Sequence, residues 1–302
     1  MNGIVVVDKP ADISSAAVVS RIKRLFAAGK AGHSGTLDPF ATGLMICLLN
    51  RATRLADFFL HADKTYQATL RLGVETDTLD STGAVTATRD IDNLEMTADD
   101  IRRVCRSFEG ESRQRPPAYS AVKHRGTPLY KLARQGKTVH KPARQIRISR
   151  LSVTDIRLPA ISFEVSCSGG TYIRTLAADI GRQLGCGAHL AALRRLETGG
   201  FSVDEAATPA QLEAMAAEGT LAERIIPMNA ALRQMPALPV DHGLAEKIRQ
   251  GRTLDEKMLG RVPGTDGQGR FQIVDPAGRL TAVAARTQSG LRYCCVFPQE
   301  AG

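Results

Sequence analysis

A polar loop near the N-terminus combines glycines, hydroxyl side chains and one carboxylate. Residues 32–43 read GHSGTLDPFATG, and the carboxylate is Asp38. A serine hydrolase would need a Gly-x-Ser-x-Gly turn, but the frame around Ser34 is one residue short. The loop is therefore either the seat of one functional aspartate, held by Pro39, or a turn in which Asp38 only hydrogen-bonds its own backbone. The spacing alone favours the turn.

A second segment, CSGGTYIRTL at residues 167–176, is typical of a junction between a strand and a helix. Gly169 and Gly170 allow another group to approach the backbone closely. Arg174 falls in the first helical turn, where the helix dipole disfavours a cation. We expect such an arginine to have a carboxylate partner; the alternative is an arginine on the surface.

A third segment, residues 64–80, reads KTYQATLRLGVETDTLD and contains Tyr66. On its own, this tyrosine is interpreted as an ordinary aromatic residue of a strand. The chain has neither a P-loop nor a G-x-G-x-x-G fingerprint. Nothing therefore supports an ATP-driven reaction, an NAD-dependent reaction, or methyl transfer from a cofactor held in a Rossmann-type loop.

The positive charge is concentrated in one stretch of the chain. The net charge is +9, and residues 112–154 contain eleven Lys and Arg but no Asp or Glu. Such a stretch repels itself unless a polyanion neutralises it, and its tyrosines are available to stack on bases. We predict a nucleic-acid surface here rather than a solvated basic face, and prolines and glycines within it argue against a membrane-surface helix. The predicted contacts to the RNA backbone are Lys123, Arg125, Lys131, Arg134 and Arg144.

The elements that must position these groups follow from the apolar spacing. Strands are predicted at residues 3–7, 44–49, 65–72, 146–156, 161–167 and 190–196. Helices are predicted after a cap at Ser14 or Ser15 and at residues 55–60, 98–108, 173–184 and 209–217. Residues 29–43 are predicted to form a long loop. Residues 230–238 are predicted to be a linker to short strands at residues 271–274, 280–285 and 293–297.

This pattern predicts an α+β fold with a mixed-sheet domain and a small β-rich domain. The first covers residues 1–230, with residues 112–154 as an RNA-binding insertion, and the second covers residues 235–302. No apolar run approaches the roughly 18 residues of a membrane span, and the N-terminus has no secretory signal. The six cysteines form no C-x-x-C pair, so we expect reduced thiols in a cytoplasmic protein without a metal site.

Taken together, the three segments resemble the TruB family of tRNA pseudouridine-55 synthases. They occur in the family's order and spacing, and GCGAHL followed by LRR within residues 185–195 completes the match. The resemblance covers residues 3–200, and the tail is similar to the small RNA-binding PUA domain of bacterial members. It implies a pseudouridine synthase-like catalytic domain followed by a PUA-like domain.

The resemblance also implies roles for single residues. Asp38 is then the catalytic aspartate and Arg174 its partner. Tyr66 stacks on the target base, and His33 helps to hold a flipped nucleotide. The remaining matches line the uridine pocket or lie near the site: Tyr172, Leu193 and Lys9.

The implied reaction is the isomerisation of uridine 55 in the T-loop of tRNA. The N-glycosidic bond breaks, the uracil turns and then rejoins the ribose through C5, so neither a redox change nor a cofactor is needed. One ionised carboxylate acts at the sugar as nucleophile or base. Flipping the nucleotide costs about a few kcal/mol, which stacking on Tyr66, at roughly 1–3 kcal/mol, offsets. The expected partner is the T-arm of tRNA, with neither a membrane nor a guide RNA, and the chain is expected to act as a monomer.

Two alternatives stay open at this point. One is a non-catalytic RNA-binding or tRNA-folding module, and the intact set of Asp38, Tyr66 and Arg174 argues against it. The other is a guide-RNA-dependent relative that works in a multi-protein particle, and the absence of Lys-rich tails argues against that.

Overall fold

A computed structural model describes residues 1–92, 95–137, 139, 141–253, 256–259, 264–266 and 269–298. Its strands are β1 (Gly3–Lys9), β2 (Ala31–His33), β3 (Thr42–Leu49), β4 (Lys64–Leu72), β5 (Val74–Thr76), β6 (Val85–Thr88), β7 (Gly110–Gln114), β8 (Lys123–His124), β9 (Thr127–Pro128), β10 (Arg144–Arg157), β11 (Ala160–Cys167), β12 (Ala188–Thr198), β13 (Phe201–Ser202), β14 (Ala237–Pro239), β15 (Arg270–Val274), β16 (Leu280–Thr287) and β17 (Gly290–Val296). Its α-helices are α1 (Ser15–Leu25), α2 (Ala56–Leu60), α3 (Ala98–Arg106), α4 (Leu129–Ala133), α5 (Ile173–Gln183), α6 (Pro209–Ala217), α7 (Met228–Ala231), α8 (His242–Arg249) and α9 (Glu256–Leu259). Short 3-10 helices lie at Asn50–Leu55, Val203–Glu205 and Leu221–Arg224.

A mixed sheet forms the centre of the molecule. Its strand order in the described part of the chain is β1-β3-β12-β4-β11-β10-β7, with β2 paired to β3 and β13 paired to β12. The β12–β3 pair is parallel, whereas β4 is antiparallel to both of its neighbours. Strands β14 to β17 form a second, smaller sheet. The predicted α+β class, with a mixed sheet and a small β-rich unit, is confirmed.

One half of the main sheet is covered on a single face. Along β4 buried and more exposed side chains alternate, as expected for a strand with one face on the core and one in water. Tyr66, Ala68 and Leu70 point to the covered face, where they pack with side chains of α3 and α5. This face therefore brings the first residues of α5 close to the middle of β4.

The other half of the sheet is buried on both faces, and its strands β1 and β3 are accordingly almost continuously apolar. One face packs against Val18 and Ile22 of α1. The opposite face packs against Leu280 and Phe297 of the C-terminal unit. The two units thus share one hydrophobic core.

Two predictions about irregular segments need correction. Residues 29–43 are not one long loop, because β2 forms three register pairs with β3, on the side of β3 opposite β1. Residues 230–238 do not form an exposed linker, because Ala231, Leu232 and Met235 are buried in the core that the C-terminal unit shares with β1 and β3. The prolines of that segment suggested a linker and concealed its apolar contacts.

Polar composition concealed several other strands. β7 reads GESRQ and is exposed except for Gln114, but it pairs with β10 at the edge of the main sheet. Residues 112–114 and 144–154 of the basic stretch therefore lie in that sheet. Between them are the hairpin of β8 and β9, and helix α4; Thr138 and His140 of this stretch lie outside the described residues.

No helix in the described part of the chain has the length and apolar character that a membrane crossing requires.

Candidate active site

A cavity of about 360 Å³ lies on the covered face of the main sheet, at the N-terminal end of α5. Its walls come from the Asp38 loop, from Tyr66 of β4, from Leu193 of β12 and from residues 170–174. Residues 120–122, which belong to the basic stretch, close a further side. The cavity therefore lies where all three segments singled out from the sequence meet.

Asp38 and Arg174 form an ion pair on the cavity wall. Arg174 Nε lies 2.9 Å from Asp38 Oδ2, and Arg174 Nη2 donates to Asp38 Oδ1 at 3.2 Å. The Arg174 side chain is only 5% exposed, whereas the Asp38 side chain is 32% exposed. The expected carboxylate partner of Arg174 is confirmed, and the carboxylate keeps an open side toward the cavity.

The same guanidinium connects two further segments. Arg174 Nη1 donates to the Thr78 carbonyl at 2.8 Å, and Arg174 Nη2 donates to the Tyr119 carbonyl at 2.7 Å. Its Nη1 also lies 3.3 Å from Oδ2 of a second carboxylate, Asp80, whose side chain is 5% exposed. One arginine thus holds the Asp38 loop, residues 78–80 and residue 119 in place.

Sequence reasoning missed Asp80. The segment from residue 75 to residue 80 carries three acidic side chains, Glu75, Asp77 and Asp80, and nothing in their spacing distinguishes the buried one. Asp80 Oδ1 accepts hydrogen bonds from the Thr78 hydroxyl at 2.8 Å and from the Thr82 hydroxyl at 2.6 Å. These bonds fix the carboxylate beside Arg174.

Burial raises the pKa of Asp38 above that of a free aspartate. The Arg174 guanidinium opposes this rise, and the nearby Asp80 carboxylate adds to it. The net shift is upward, so the carboxyl group takes up a proton at a higher pH than an aspartate in water would.

Asp38 also lies in the predicted turn. The Ala41 N–H donates to the Asp38 carbonyl at 3.1 Å, so the backbone turns as an Asp-Pro sequence favours, while the side chain points to Arg174. The turn exists, but the interpretation that Asp38 only hydrogen-bonds its own backbone is wrong, because the carboxylate pairs with Arg174.

Two buried side chains hold the Asp38 loop by hydrogen bonds to its backbone. Ser15 Oγ accepts from Leu37 N at 2.9 Å and donates to Leu37 O at 2.8 Å. Lys9 is fully buried, and its Nζ donates to the carbonyls of Pro10, Ile13 and Pro39 at 2.7–2.9 Å. Burial lowers the pKa of Lys9 to about 8, although nearby carboxylates oppose this. Lys9 thus lies under the loop, and it does not line the cavity.

The aromatic and aliphatic candidates do line the cavity. Tyr66 is 7% exposed and Leu193 is 9% exposed. Tyr172 is held by Gln114 of β7, which accepts from Tyr172 N at 2.7 Å and donates to Tyr172 O at 3.0 Å. Burial raises the pKa of both tyrosines, so each ring stays neutral near pH 7.

His33 lies on β2, outside the cavity lining. Its Nδ1 is buried and has no hydrogen-bond partner among the described residues. Burial lowers the pKa of His33, and the positive charge of Arg195 lowers it further. The imidazole is therefore neutral near pH 7, with its Nδ1 enclosed and unpaired among the described residues.

Two other cations on the cavity wall were missed as well, Lys64 and Arg195. Both are buried. Arg195 belongs to the Leu-Arg-Arg part of the resemblance, but nothing in the sequence indicated that its side chain turns inward. Lys64 is the first residue of β4 and directly follows an exposed aspartate, Asp63, which suggested a surface position.

The predicted RNA-backbone residues lie outside the cavity. All five are exposed and form no ion pair with any described residue: Lys123, Arg125, Lys131, Arg134 and Arg144. The Arg134 guanidinium lies 5.6 Å from the centre of the Tyr130 ring. The surface they form is continuous along the chain with residues 120–122 of the cavity wall.

Comparison with known proteins assigns this arrangement to a family. The profile of the TruB family pseudouridylate synthase N-terminal domain matches residues 23–173, and that of the tRNA pseudouridylate synthase B C-terminal domain matches residues 174–233. The chain belongs to the TruB family of pseudouridylate synthases. The boundary between the two family domains falls directly before Arg174, so the ion pair with Asp38 joins them.

Named relatives and a solved structure match this chain over most of its length. The tRNA pseudouridine synthase B of Syntrophotalea carbinolica is 49% identical over 280 residues, which are 93% of this chain and 90% of the relative. The protein of the same name from Burkholderia mallei is 42% identical over 96% of this chain and 95% of the relative. A chain in the crystal structure of a Cbf5-Nop10-Gar1 complex matches with a TM-score of 0.71 and 28% identity, over 99% of this chain and 84% of that chain.

Proposed function

We propose that this protein is a tRNA pseudouridine synthase that isomerises uridine 55 in the T-loop. The observation that carries the proposal is the Asp38 carboxylate, which Arg174 holds by two contacts while it stays open to a cavity with Tyr66 on its wall. The relatives named tRNA pseudouridine synthase B support tRNA as the substrate class.

The reaction requires one carboxylate in a site that excludes water. Breaking the N-glycosidic bond leaves positive charge on the ribose, which an ionised Asp38 stabilises as nucleophile or base. In the product C5 is bonded to the ribose, C5 has lost its proton and N1 has gained one, so atoms and electrons balance without a redox partner. Enclosure in the cavity keeps the detached uracil in place and excludes water.

The neighbouring residues take positioning roles in this proposal. Tyr66 stacks on the flipped base, and Tyr172 and Leu193 hold its edges. Lys9 acts on the reaction only through the Asp38 loop, because its three donors are used by backbone carbonyls. His33 helps to hold the flipped nucleotide from its position on β2, and its buried Nδ1 is not the contacting atom.

RNA binding is assigned to the basic surface and to the C-terminal unit. The exposed cations between residues 123 and 144 are unpaired among the described residues and suit phosphates, and an A-form stem is recognised mainly by shape and backbone. We further propose that residues 235–302 act as a PUA-like RNA-binding domain. The exposed Arg292 of that unit supports this.

We propose that the protein acts as a monomer in the cytoplasm, without a guide RNA. The cysteines of the described chain are all free, and only Cys294 is exposed, which suits a reducing compartment. A non-catalytic tRNA-folding module would need the basic surface but not an Asp38 carboxylate that Arg174 holds open to a cavity.

The test uses purified protein, an unmodified tRNA transcript and no cofactor, with pseudouridine mapped at nucleotide resolution. We expect pseudouridine at position 55 alone. An Asp38→Asn preparation processed in parallel controls for contaminating enzymes. Modification at another position would overturn the proposed site, and no modification with intact binding would favour the non-catalytic module.

A further inference from the structure

Two buried cations lie together on one wall of the cavity. Lys64 is 6% exposed and Arg195 is 1% exposed. Both flank Gly35: a Cβ placed on this glycine would lie 3.5 Å from Arg195 Nη1 and 3.7 Å from Lys64 Cε. Gly35 has a φ of +108° and no side chain, so the two cations reach the same point of the cavity wall.

The partners of these cations are neutral. Arg195 Nε donates to the Leu44 carbonyl at 2.6 Å, and its Nη2 donates to the Gly35 carbonyl at 3.2 Å. Lys64 Nζ donates to the carbonyls of Leu60 and Ala62 at 3.1 and 2.6 Å, which leaves its third N–H. Among the described residues, no carboxylate lies within ion-pair distance of either cation.

The buried charges around the cavity do not balance. The carboxylates Asp38 and Asp80 both contact Arg174, and the carbonyls below the Asp38 loop use all the donors of Lys9. Lys64 and Arg195 remain as excess positive charge in a poorly solvated place. Burial and the neighbouring Arg195 lower the pKa of Lys64 to about 8. Buried cations without a counter-charge are costly, and a bound anion removes that cost.

We propose that Lys64 and Arg195 bind one phosphate of the RNA linkage that adjoins the nucleotide flipped into the cavity. This inference rests on the proposed function and names a subsite of the same site. Phosphate is the anion that a flipped nucleotide necessarily brings with it, and charge-assisted bonds to it fix the backbone while the base lies against Tyr66. Arg174 cannot serve this purpose, because two carboxylates already neutralise it.

Lys64 and Arg195 line the same cavity as Asp38 and Tyr66. Gly170, elsewhere on this lining, is exposed, and a Cβ on it would meet no atom within 4 Å. A nucleotide whose base enters the cavity therefore brings its linkage to the wall that carries the two cations. The exposed cations of residues 123–144 remain available for the rest of the stem.

The test combines a neutral phosphate with a neutral side chain. T-arm stem-loops carry a methylphosphonate at the linkage either 5′ or 3′ of uridine 55, and single-turnover rates and RNA affinity are measured with wild type and Lys64→Met. One of the two linkages should lower wild-type kcat/KM by about tenfold to a hundredfold, as should Lys64→Met on natural RNA. Combined, the two changes should cost less than the product of the two separate losses, because in Lys64→Met the methylphosphonate removes only the remaining contact to Arg195.

Matched variants separate this role from a merely structural one. Lys23→Met removes the same charge from the exposed side of α1 and should keep the full methylphosphonate effect. Lys64→Arg should restore most of the lost rate. Lys64→Met should also lower the slope of log affinity against log salt by about one, the value for one lost phosphate contact.

Three outcomes would overturn the subsite. One is a wild-type rate that neither methylphosphonate changes. This measurement uses only the wild-type protein, so it does not depend on the folding of a variant. Another is multiplication of the losses from Lys64→Met and the methylphosphonate. The last is an unchanged salt slope in Lys64→Met. Failure of the proposed function is recognised separately, because wild type would then form no pseudouridine on natural RNA.

Discussion

Arg174 shares one guanidinium between two carboxylates, and this sharing sets the charge state of Asp38. The bidentate contact favours the ionised form of Asp38, whereas burial and the second carboxylate oppose it. A carboxyl group balanced in this way is poorly solvated, and its pKa lies above that of a free aspartate. Both properties suit attack on a sugar or removal of a proton.

Asp38→Asn should abolish isomerisation and leave tRNA binding nearly unchanged, because binding rests on phosphates and shape. The loss should reach about 10²–10⁴-fold or more, the range for a positioned acid–base or nucleophilic group. Single-turnover pseudouridine formation and a filter-binding assay on the same preparation measure the two effects. Retained turnover would remove Asp38 from the mechanism.

The pH profile should report the raised pKa of Asp38. The ionised form is the active one, so log kcat/KM should fall as pH decreases through that pKa, starting at a higher pH than for a free aspartate. Asp80→Asn removes a negative neighbour, lowers the pKa of Asp38 and should move the acidic limb to lower pH.

The exposed Asp57 of α2 supplies the matched control, since Asp57→Asn should leave the limb where it is. A limb that stays in place or moves to higher pH in Asp80→Asn would contradict the electrostatic account.

At the scale of elements, the cavity is assembled from segments far apart in the chain. Helix α5 presents Arg174, the turn after β2 presents Asp38, and the residues before β8 close the side. Arg174 therefore holds three segments together besides pairing with Asp38. Loops that need a single side chain to hold them have low local stability without it.

Arg174→Ala should lose most of the activity and should also speed hydrogen exchange at residues 76–80 and 119–122. Arg174→Lys should stay impaired, because an ammonium cannot reproduce the planar fork. Single-turnover rates and exchange by mass spectrometry provide the two readouts. A normal rate in Arg174→Ala would refute the role given to the ion pair.

Ser15→Ala should lower both stability and kcat. It leaves the buried N–H and carbonyl of Leu37 without their partner, at a cost of about 1–3 kcal/mol, and it loosens the turn next to Asp38. Ser14→Ala is the control, because Ser14 only caps α1 through Ala17 N, at about 0.5–2 kcal/mol. Denaturant unfolding should show both variants destabilised, whereas kcat should fall only in Ser15→Ala; equal kcat values would argue against the positioning role.

The sequence predicts helices and strands better than it predicts which polar side chains are buried at the site. Apolar periodicity predicted both ends of β4 and of α5 to within two residues of those observed, because burial of one face imposes a regular spacing. It missed β7, since an edge strand with mostly exposed side chains needs no apolar pattern. Asp80, Lys64 and Arg195 were missed for another reason: each is packed against a segment distant in the chain. Asp80 meets Arg174, and Lys64 and Arg195 both flank Gly35.

At the scale of the whole molecule, the basic stretch and the cavity are contiguous along the chain. The stretch contributes residues 120–122 to the cavity wall, and the exposed Lys123 and Arg125, which form no ion pair with any described residue, follow directly. An RNA stem attracted by these cations therefore arrives next to Asp38. Attraction of this kind acts over about a Debye length and weakens with salt.

Replacing Lys123, Arg125 and Lys131 together with glutamine should weaken tRNA binding and flatten its salt dependence. If roughly six phosphates are contacted, wild-type affinity should drop about a thousandfold between about 50 and 200 mM salt, and the triple variant should show a shallower slope. The triple replacement of Lys23, Arg24 and Lys30, also exposed, removes the same charge elsewhere. Identical salt-dependence slopes in the two triple variants would show that the basic stretch is a solvated surface that does not contact the RNA.

The hydrophobic core shared by the two units has a consequence for how the protein can be divided. Leu280 and Phe297 cover the same apolar face of β1 and β3 that Ala231 and Met235 cover. A chain truncated after residue 236 would expose that apolar face to solvent and would tend to aggregate. The C-terminal strands are therefore part of the core of the main sheet and do not form an independently folding domain. Heating should accordingly melt both units in a single step.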